Sequence, residues 1–360
     1  MAVSEFELRR GRVGAGLAAR KLDAILISGL PNVRYLTGFT GDNALLLVVS
    51  GKSILITDPR YEIQAATEVS CRVKITRTAL TAEALAAIRR LGLYRIGYEP
   101  ARMNCAMFES LKARLPLRAA LEPVPGWIED LRMVKSEAEI ERIRRSVELN
   151  SKAFEQAVRH ARAGMREQDL AAELEFRMRR LGSEKPAFET IVAGGARSAL
   201  PHGQPGSRRF ESGDLIVVDM GAMLDGYASD MTRMLHIGAP RPKVKRIYRA
   251  VFEAQLAALA AVRAGAITAR VDAAARGVLK KHGFEKAFVH STGHGLGLEI
   301  HEPPRVGRRD KTRLLSGMTI TIEPGAYLEG FGGVRIEDTV VVRPTGCDIL
   351  TPTAKHLREL

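Results

Sequence analysis

The sequence contains few cysteines, few aromatic residues and no long apolar run. Of its 360 residues, 5% are aromatic, and the three cysteines, Cys71, Cys105 and Cys347, lie far apart without a C-x-x-C spacing. This spacing excludes a cysteine zinc knuckle, and an odd number of cysteines argues against a disulfide framework. No apolar run approaches the ~18 residues of a membrane span, and the N-terminus lacks the apolar core of a signal peptide. We therefore expect a cytoplasmic protein.

Acidic residues are outnumbered by basic ones. The chain has 41 Asp and Glu against 55 Lys and Arg, which gives a net charge of +14. Such an excess can attract nucleic acid or an anionic membrane surface. However, the basic residues are dispersed, most have acidic neighbours, and no basic strip is interleaved with aromatic residues. We interpret the charge as a solvated basic surface and expect neither a nucleic-acid nor a membrane partner.

A proline-rich stretch separates two regions of different pattern. The first region alternates helix signals with short apolar runs, such as Ala24–Ile27 and Ala44–Val49, and is typical of an α/β domain. The stretch EPVPGW, residues 122–127, interrupts both periodicities. Beyond it, Ser136 and Glu139 form a capping-box pattern that opens a long amphipathic helix. The sequence therefore predicts an α/β domain over residues 1–127 and a second domain over residues 128–360.

The second region mixes helices with antiparallel strands. Helical patterns at about 167–180, 244–263 and 270–281 are interspersed with strand-like runs at 190–192, 215–219, 231–237, 318–322 and 339–342. This mixture predicts an α+β domain. The segment DMGAMLDGYASD, residues 219–230, also resembles EPGAYLEGFGGVRIED, residues 323–338. The repeat predicts two similar halves with a site between them.

Each copy of the repeat carries two acids that a hairpin would bring together. Asp219 and Asp230 are centred just before the turn signal Asp225-Gly226, and we expect them to lie nearly opposite each other across a hairpin. The alternative for a single acid is a solvated strand end or a salt bridge, for example between Asp230 and Arg233. Two matched pairs of acids are harder to explain in this way.

The second hairpin follows the same arithmetic. Glu323 and Glu337 are centred on Gly330, so we expect them to face each other with Cβ atoms about 5 Å apart. Two carboxylates at this short distance repel each other, and each raises the pKa of the other unless a cation lies nearby. Four acids gathered in a pseudo-symmetric core therefore predict a metal site.

Histidines are concentrated between the two hairpins. The stretch FVHSTGHGLGLEIHEPP, residues 288–304, contains His290, His294 and His301, and His202 lies in ALPHGQPG. Imidazole supplies a nitrogen ligand or a proton donor, so this density indicates a site. One imidazole and four carboxylates suit Mn²⁺, Co²⁺ or Fe²⁺, and Zn²⁺ can also bind. Two divalent ions would balance four carboxylates and generate a nucleophile from water.

The ordered motifs resemble those of a known enzyme family. LPHG, VVDMGA, GYASDMTR, HSTGHGLGLEIHE, TIEPGAY and GGVRIEDT are similar to the successive motifs of the metal-dependent Xaa-Pro peptidases, the aminopeptidase P and prolidase branch of the methionine-aminopeptidase/creatinase superfamily. The resemblance spans nearly the whole chain. It implies a C-terminal pita-bread domain with pseudo-twofold halves, preceded by a creatinase-like α/β domain, and a homodimer.

The same resemblance implies a dinuclear metal centre, most favourably with manganese. Asp219 would chelate one metal, Asp230 and Glu337 would bridge both, and His294 and Glu323 would complete the ligand set. Glu323 would in addition act as general acid and base, taking a proton during attack on the carbonyl before proline and returning it to the prolyl nitrogen.

Four further residues would contact the substrate. By resemblance, His301 would stabilise the tetrahedral intermediate, whereas His202 and His290 would line the proline side of the site and assist proton transfer. Arg335, two residues before Glu337 on the same strand face, would help to hold the acids and the substrate. Charge compensation alone is the alternative for Arg335.

Two peptidase activities remain open at this stage. A Xaa-Pro aminopeptidase acts on longer peptides with proline at the second position, whereas a dipeptidase (prolidase) needs a side chain that captures the substrate's carboxylate. The short architecture favours the aminopeptidase. A methionine aminopeptidase is disfavoured by the N-terminal domain. A non-catalytic binding protein and a metal-free creatinase-like amidinohydrolase are disfavoured by the filled ligand set.

Overall fold

The computed structural model describes residues 4–360. The described residues form two compact units that divide after Leu131, and the helix Trp127–Met133 spans this point of the chain. The domain limits expected from the sequence, 1–127 and 128–360, remain untested predictions. Within the described residues, no helix combines the length and apolar character that crossing a bilayer requires.

The first unit is built around one mixed sheet. Its strands run in the order β4-β3-β2-β1-β5-β6, with β1, β5 and β6 parallel to one another. The edge position of β6 suits Pro123, because the missing N–H of proline costs no ladder hydrogen bond there. The elements are α1 (Glu5–Gly16), α2 (Leu30–Thr37), α3 (Glu62–Glu68), α4 (Leu80–Leu91), α5 (Cys105–Lys112), α6 (Trp127–Met133), β1 (Ala24–Ile27), β2 (Ala44–Val49), β3 (Lys52–Thr57), β4 (Arg72–Ile75), β5 (Arg95–Tyr98) and β6 (Ala120–Pro123).

The second unit combines helices with short antiparallel sheets. Its longest helix, α7, begins at the predicted capping box, in which Ser136 and Glu139 exchange side-chain and backbone hydrogen bonds. The helices are α7 (Glu137–Ala157), α8 (Glu167–Arg180), α9 (Pro242–Ala261) and α10 (Thr268–Lys281). The strands are β7 (Lys185–Pro186), β8 (Ile191–Gly194), β9 (Leu215–Met220), β10 (Ala222–Leu224), β11 (Tyr227–Ala228), β12 (Met231–His236), β13 (Gly293–Gly295), β14 (Glu302–Val306), β15 (Thr319–Ile322), β16 (Gly325–Leu328), β17 (Gly332–Arg335), β18 (Asp338–Arg343), β19 (Gly346–Ile349) and β20 (Arg358–Glu359).

The chain order of these elements repeats. Helices α7 and α8 precede the sheet ordered β20-β12-β9-β8, and helices α9 and α10 precede the sheet ordered β14-β13-β15-β18-β19. In each half a long antiparallel pair, β9 with β12 or β15 with β18, leads into a short hairpin. The predicted α+β class with two similar halves is confirmed.

Strand β9 shows how packing directs the acids inward. Ile216 and Val218 pack into a hydrophobic cluster with residues of α7 and α8, whereas Leu215 and Val217 pack into a cluster with residues of α9 and α10. Because side chains alternate along a strand, Asp219 shares the face of Leu215 and Val217. The apolar residues on both faces of β9 therefore determine where this carboxylate lies.

The register of the first hairpin differs from the prediction. Asp219 pairs with Thr232 and not with Asp230. Asp225 and Gly226 both adopt positive φ angles, 51° and 78°, as the two central residues of a tight hairpin turn do. The prediction placed the centre one residue too early, which shifts the pairing by two residues and leaves Asp230 on the same face, diagonal to Asp219.

The second hairpin has the predicted register. Ile322 pairs with Asp338 in the β15–β18 ladder, and Gly325 pairs with Arg335 in the β16–β17 ladder. Glu323 and Glu337 lie between these two ladders and therefore face each other, as predicted from the centre at Gly330.

Candidate metal centre

Each expected ligand lies at or next to the end of a strand. Asp219 lies near the end of β9 and Asp230 just before β12, whereas His294 is in β13, Glu323 directly follows β15 and Glu337 directly precedes β18. At the end of a strand, the backbone is still held by the neighbouring hydrogen bonds, so the direction of the side chain is fixed. Both halves of the unit therefore contribute carboxylates to one place.

The ligand atoms of these residues are close together. His294 Nε2 lies 3.4 Å from Asp230 Oδ2 and 3.4 Å from Glu323 Oε1. One candidate ligand atom from each of Asp230, His294 and Glu337 lies within 4.8 Å of the others. The Nδ1–H of His294 donates to Gly295 O at 3.0 Å, which leaves Nε2 as the lone-pair nitrogen that faces the acids.

Crowding makes the acids hard to ionise. Burial raises the pKa of Asp230 well above its usual range, and repulsion from Asp219 and Glu323 adds to the effect. The pKa of Glu337 is likewise well above its usual range because of burial and the neighbouring Asp230. Burial also raises the pKa of Asp219, opposed by the Arg335 guanidinium. The charged forms need additional positive charge.

Two buried oxygen atoms supply a test of whether a metal fits. Asp219 Oδ1 and Glu337 Oε1 have no hydrogen-bond partner among the described residues. A buried carboxylate oxygen without a partner is costly, and a cation would offset that cost. Four carboxylates and one neutral imidazole also form the oxygen-rich donor set that divalent transition metals accept. The residues present therefore fit a divalent metal.

Two threonines that sequence reasoning missed support the acids. Thr232 Oγ1 donates to Glu337 Oε2 at 2.8 Å and itself accepts a hydrogen bond from Arg335 Nε at 3.0 Å. Thr321 Oγ1 donates to Glu323 Oε1 at 3.1 Å. The two-residue period of a strand was the available signal, because Thr232 shares a face with Asp230 and Thr321 shares one with Glu323.

Arg335 is connected to His290 through a tyrosine that the sequence analysis also missed. Arg335 Nη1 donates to the Tyr327 hydroxyl at 2.7 Å, and this hydroxyl lies 2.8 Å from His290 Nε2. His290 Nδ1 lies 2.7 Å from Ser291 O, so Nδ1 is the protonated nitrogen and Nε2 accepts from Tyr327. Burial raises the pKa of Tyr327 to about 12. Both ring nitrogens of His290 are therefore engaged.

The remaining two histidines border the cluster. The His301 ring packs edge-on against the His294 ring, with 4.4 Å between the centroids. Partial burial and the neighbouring His294 lower the pKa of His301. His202 is exposed, and a positive charge on it would lower the pKa of both His290 and His301. The carbonyl of Pro201, next to His202, accepts from Arg335 Nη1 at 3.1 Å.

Glycines allow the histidine segment to approach its neighbours. A Cβ atom on Gly293 would lie 1.9 Å from Thr321 O, and one on Gly295 would lie 2.2 Å from Pro303 O. Both distances are far shorter than a van der Waals contact, so only glycine is compatible with this backbone. His294 is thereby held between β14 and β15.

Comparison with known proteins gives matches over both units. The model of metallopeptidase family M24 matches residues 141–344, and the model of the Creatinase/Prolidase N-terminal domain matches residues 9–134. A Xaa-Pro dipeptidase of Pyrococcus horikoshii is 39% identical over 336 residues, which cover 93% of this chain and 94% of that protein.

Solved structures are similar over nearly the whole chain. A Xaa-Pro dipeptidase from Bacillus anthracis superposes with a TM-score of 0.96 at 35% identity, covering 99% of this chain and all of that one (100%). An X-Pro aminopeptidase from Thermotoga maritima superposes with a TM-score of 0.91 at 36% identity, covering 98% of this chain and 100% of that one. The similarity thus includes the strands that carry the candidate ligands.

Proposed function

The chain belongs to metallopeptidase family M24, and from that premise we propose that it hydrolyses the peptide bond before proline. It is an enzyme with a creatinase-type N-terminal domain and a pita-bread catalytic domain, and its family uses divalent metal. The observation that carries the proposal is the convergence of Asp230, Glu323 and Glu337 on His294. Asp219 is close enough to raise the pKa of Asp230, and acids this crowded are all ionised only when cations are near. The similarity to Xaa-Pro dipeptidases supports the choice of bond.

The metal ligands in this proposal are the five expected residues. Asp219, Asp230, His294, Glu323 and Glu337 would hold two divalent ions, and manganese suits this donor set. Two charges of +2 balance four carboxylates, and the two oxygens without partners, on Asp219 and Glu337, support a ligand role. When bound, such ions polarise a carbonyl group and acidify water.

Two residues of the chain would handle protons and charge. Glu323 would accept a proton during the attack and return it to the prolyl nitrogen. Its Oε1 is held by Thr321, so the carboxylate keeps one orientation while the proton moves. His301 is accessible to solvent beside His294, and it would donate a hydrogen bond to the oxygen on which negative charge develops.

Arg335, Tyr327 and His290 would shape the proline side of the site. The engaged nitrogens of His290 favour a binding surface for the proline ring over the expected proton transfer. Arg335 would combine charge compensation with orientation of Asp219 and Tyr327. His202, on the exposed segment next to Pro201, would contact the substrate from the rim.

We propose Xaa-Pro dipeptides as the main substrates. The similarity to dipeptidases supports this choice over the aminopeptidase that the short architecture favoured. A dipeptidase needs a cation for the free carboxylate, and Arg305 suits this role. Arg305 lies opposite His294 in the register of the β13–β14 ladder. Its Nε donates a hydrogen bond to Ser291 Oγ at 2.5 Å. The aminopeptidase is the second candidate, supported by the similarity to the Thermotoga maritima protein.

Paired substrates test this choice. With manganese or cobalt added, we expect faster cleavage of a Xaa-Pro dipeptide than of the matching Xaa-Pro-Xaa tripeptide. Arg305→Gln should raise KM for the dipeptide more than for the tripeptide, whereas Arg308→Gln serves as a matched control on an exposed arginine nearby. Faster tripeptide cleavage, unaffected by Arg305→Gln, would assign the protein as an aminopeptidase instead.

A cytoplasmic location and a homodimer complete the proposal. Both rest on the sequence pattern and on the family resemblance. Cell fractionation and sedimentation of the purified protein would measure them directly. A secreted or monomeric active enzyme would contradict them.

A further inference from the structure

A cavity lined by arginines lies at the N-terminal end of α10. It has a volume of about 400 Å³, and among the described residues no acidic side chain lines it. The lining consists mainly of three arginines and three small or apolar residues, namely Arg263, Arg270, Arg313, Ala261, Ala266 and Ile267. We call this site the arginine cavity. Its three cations come from three separate parts of the fold: the turn after α9, the first turn of α10 and the segment before β15.

The three arginines of the arginine cavity are exposed to solvent, and none of them pairs with a carboxylate of the described residues. The side chains of Arg263 and Arg270 form no salt bridge and no hydrogen bond with the residues that the structure describes. Arg313 Nη1 donates to Gly265 O at 2.9 Å, and the Arg313 side chain has no carboxylate partner among the described residues. By contrast, Arg276 on the same helix is paired with Asp272 at 2.7 Å. Three like charges around one opening repel one another, although solvent weakens the repulsion, and a bound anion would relieve it.

The end of α10 adds to the positive potential. Its N-cap, Ile267, supplies no capping side chain, and its first turn has no acidic residue, whereas α7 and α8 each have two acids there. The N–H groups of Thr268 and Ala269 donate to the carbonyls of Thr312 and Asp310. An anion would therefore be bound by the guanidinium groups, and the helix dipole would add only a small local contribution at the first turn.

We propose that the arginine cavity is a regulatory site for a small phosphate-bearing anion. A guanidinium group presents paired N–H donors that match the oxygens of a phosphate group, and it stays charged at all relevant pH values. The small apolar residues of the lining leave room for the organic part of such a molecule. Binding itself does not depend on the proposed peptidase substrate, but its effect on turnover rests on the proposed function.

Helix α10 connects the arginine cavity to residues 290–294, the segment that carries His290 and His294. Asp272, two residues after Arg270, is buried and accepts from Thr292 Oγ1 at 2.9 Å. The carbonyl of Thr292 in turn accepts from the N–H of Glu323 at 2.7 Å. Arg276 pairs with Asp272 and donates to the carbonyl of His290. An anion that shifts the first turn of α10 would therefore act on residues next to the proposed ligands.

Binding to the metal-loaded enzyme tests the proposal. The probes are inorganic phosphate and AMP, with adenosine as the uncharged control, and calorimetry gives the dissociation constants. We expect both phosphate compounds to bind and adenosine to fail. Arg263→Ala combined with Arg270→Ala should weaken binding at least tenfold, whereas Arg308→Ala combined with Arg309→Ala should leave it unchanged. We also expect bound AMP to change kcat for a Xaa-Pro dipeptide at least twofold.

A second arm separates the cavity from the metal centre. Asp230→Ala disrupts the proposed ligand set and should retain phosphate binding, because the arginine cavity is intact. Binding that is lost in Asp230→Ala but kept in the Arg263/Arg270 variant would overturn the proposal, since the ion would then occupy the metal centre. Binding that leaves turnover unchanged in an active enzyme would overturn the regulatory role. An enzyme inactive on every Xaa-Pro substrate would contradict the proposed function and not the cavity.

Discussion

Arg335 donates a hydrogen bond to Asp219, with 2.5 Å between Nη2 and Oδ2, and both side chains are buried. The same guanidinium also donates to Thr232 and Tyr327. It therefore binds one carboxylate oxygen of Asp219 and leaves Oδ1 available for a metal. Arg335 thus orients Asp219, a proposed ligand, and also Thr232, which holds a second proposed ligand, Glu337.

Replacement of Arg335 should impair the metal centre. We expect Arg335→Met to lower metal affinity or kcat/KM about 10–100-fold, the usual effect of losing a group that orients a ligand. Titration with manganese and steady-state kinetics would measure the two effects separately. Arg343→Met, which removes an arginine from a surface pair with Asp348, is the matched control. Wild-type metal binding and activity in Arg335→Met would contradict the role of Arg335.

Loss of the Asp230 carboxylate should separate catalysis from folding. We expect Asp230→Ala to abolish hydrolysis of Xaa-Pro substrates, because a proposed bridging ligand is removed, while circular dichroism stays unchanged. Asp230→Asn should also raise the Tm of the metal-free protein, since an isosteric amide removes one of the mutually repelling charges. Unchanged turnover in either variant would exclude Asp230 as a ligand.

The raised pKa values of Asp230 and Glu337 predict a pH dependence for the metal-free protein. Acids whose pKa is higher in the folded state bind more protons when folded. The metal-free protein should therefore lose stability as pH rises from about 4 through the raised pKa values. Metal requires the deprotonated acids, so its affinity should fall as pH is lowered. Thermal unfolding with and without chelator checks both trends, and a chelated protein that gains stability over the same rise in pH would contradict the assignment.

A buried ion cluster beneath His301 should position that residue. Glu302, the next residue, pairs with Arg132 and with Lys135 at 3.1 Å, and its Oε1 accepts from the N–H of Glu299 at 3.1 Å. Although burial raises the pKa of Glu302, Lys135 and Arg132 lower it overall. Its contribution to stability is therefore present above about pH 4.5 and lost on acidification.

A double-mutant cycle tests whether Glu302 acts through His301. We expect His301→Ala to lower kcat about 100-fold or more with little change in metal content. Glu302→Gln should lower kcat in the wild-type background and have little further effect in the His301→Ala background. Independent, additive effects would mean that Glu302 only supports the fold, and parallel loss of metal in His301→Ala would make His301 a ligand.

Glycine at position 293 should be indispensable for placing His294. Gly293→Ala would place a Cβ atom against the carbonyl of Thr321, so the segment must move away from β15. We expect metal affinity to fall more than tenfold, measured by manganese titration. Gly277→Ala, at a helical position with open space around the Cβ, should have no such effect. Equal effects of the two substitutions would argue against a local cause.

Local pattern was sufficient for much of the second unit. The helix predicted at residues 167–180 has those limits, and the capping box at Ser136 opens α7 as expected. The second hairpin was also predictable, because its centre at Gly330 determines which residues face each other. The register of the first hairpin was not predictable in this way, because an error of one residue in the hairpin centre changes each pairing partner by two residues.

Arg233 illustrates what local pattern does not contain. The sequence suggested Asp230 as its possible partner, but residues three apart on a strand point to opposite faces. Arg233 instead pairs with Asp338 at 2.8 Å and donates to the carbonyl of Glu337. Its partners are more than a hundred positions away in the chain, so only the packing of the two halves could reveal them.

The sequence by itself determined the fold class and the repeat, because periodicity and motif spacing are local properties of the chain, and its resemblance to a known family implied five candidate ligands. Only the tertiary structure decided how those groups meet: the link from Arg335 through Tyr327 to His290, the unpaired oxygens on Asp219 and Glu337, and the arginine cavity. These features depend on distances between segments that are remote in sequence. Such distances are set when strands like β9 are buried on both faces. The residues that cover the two faces come from different parts of the chain, so no single segment specifies them.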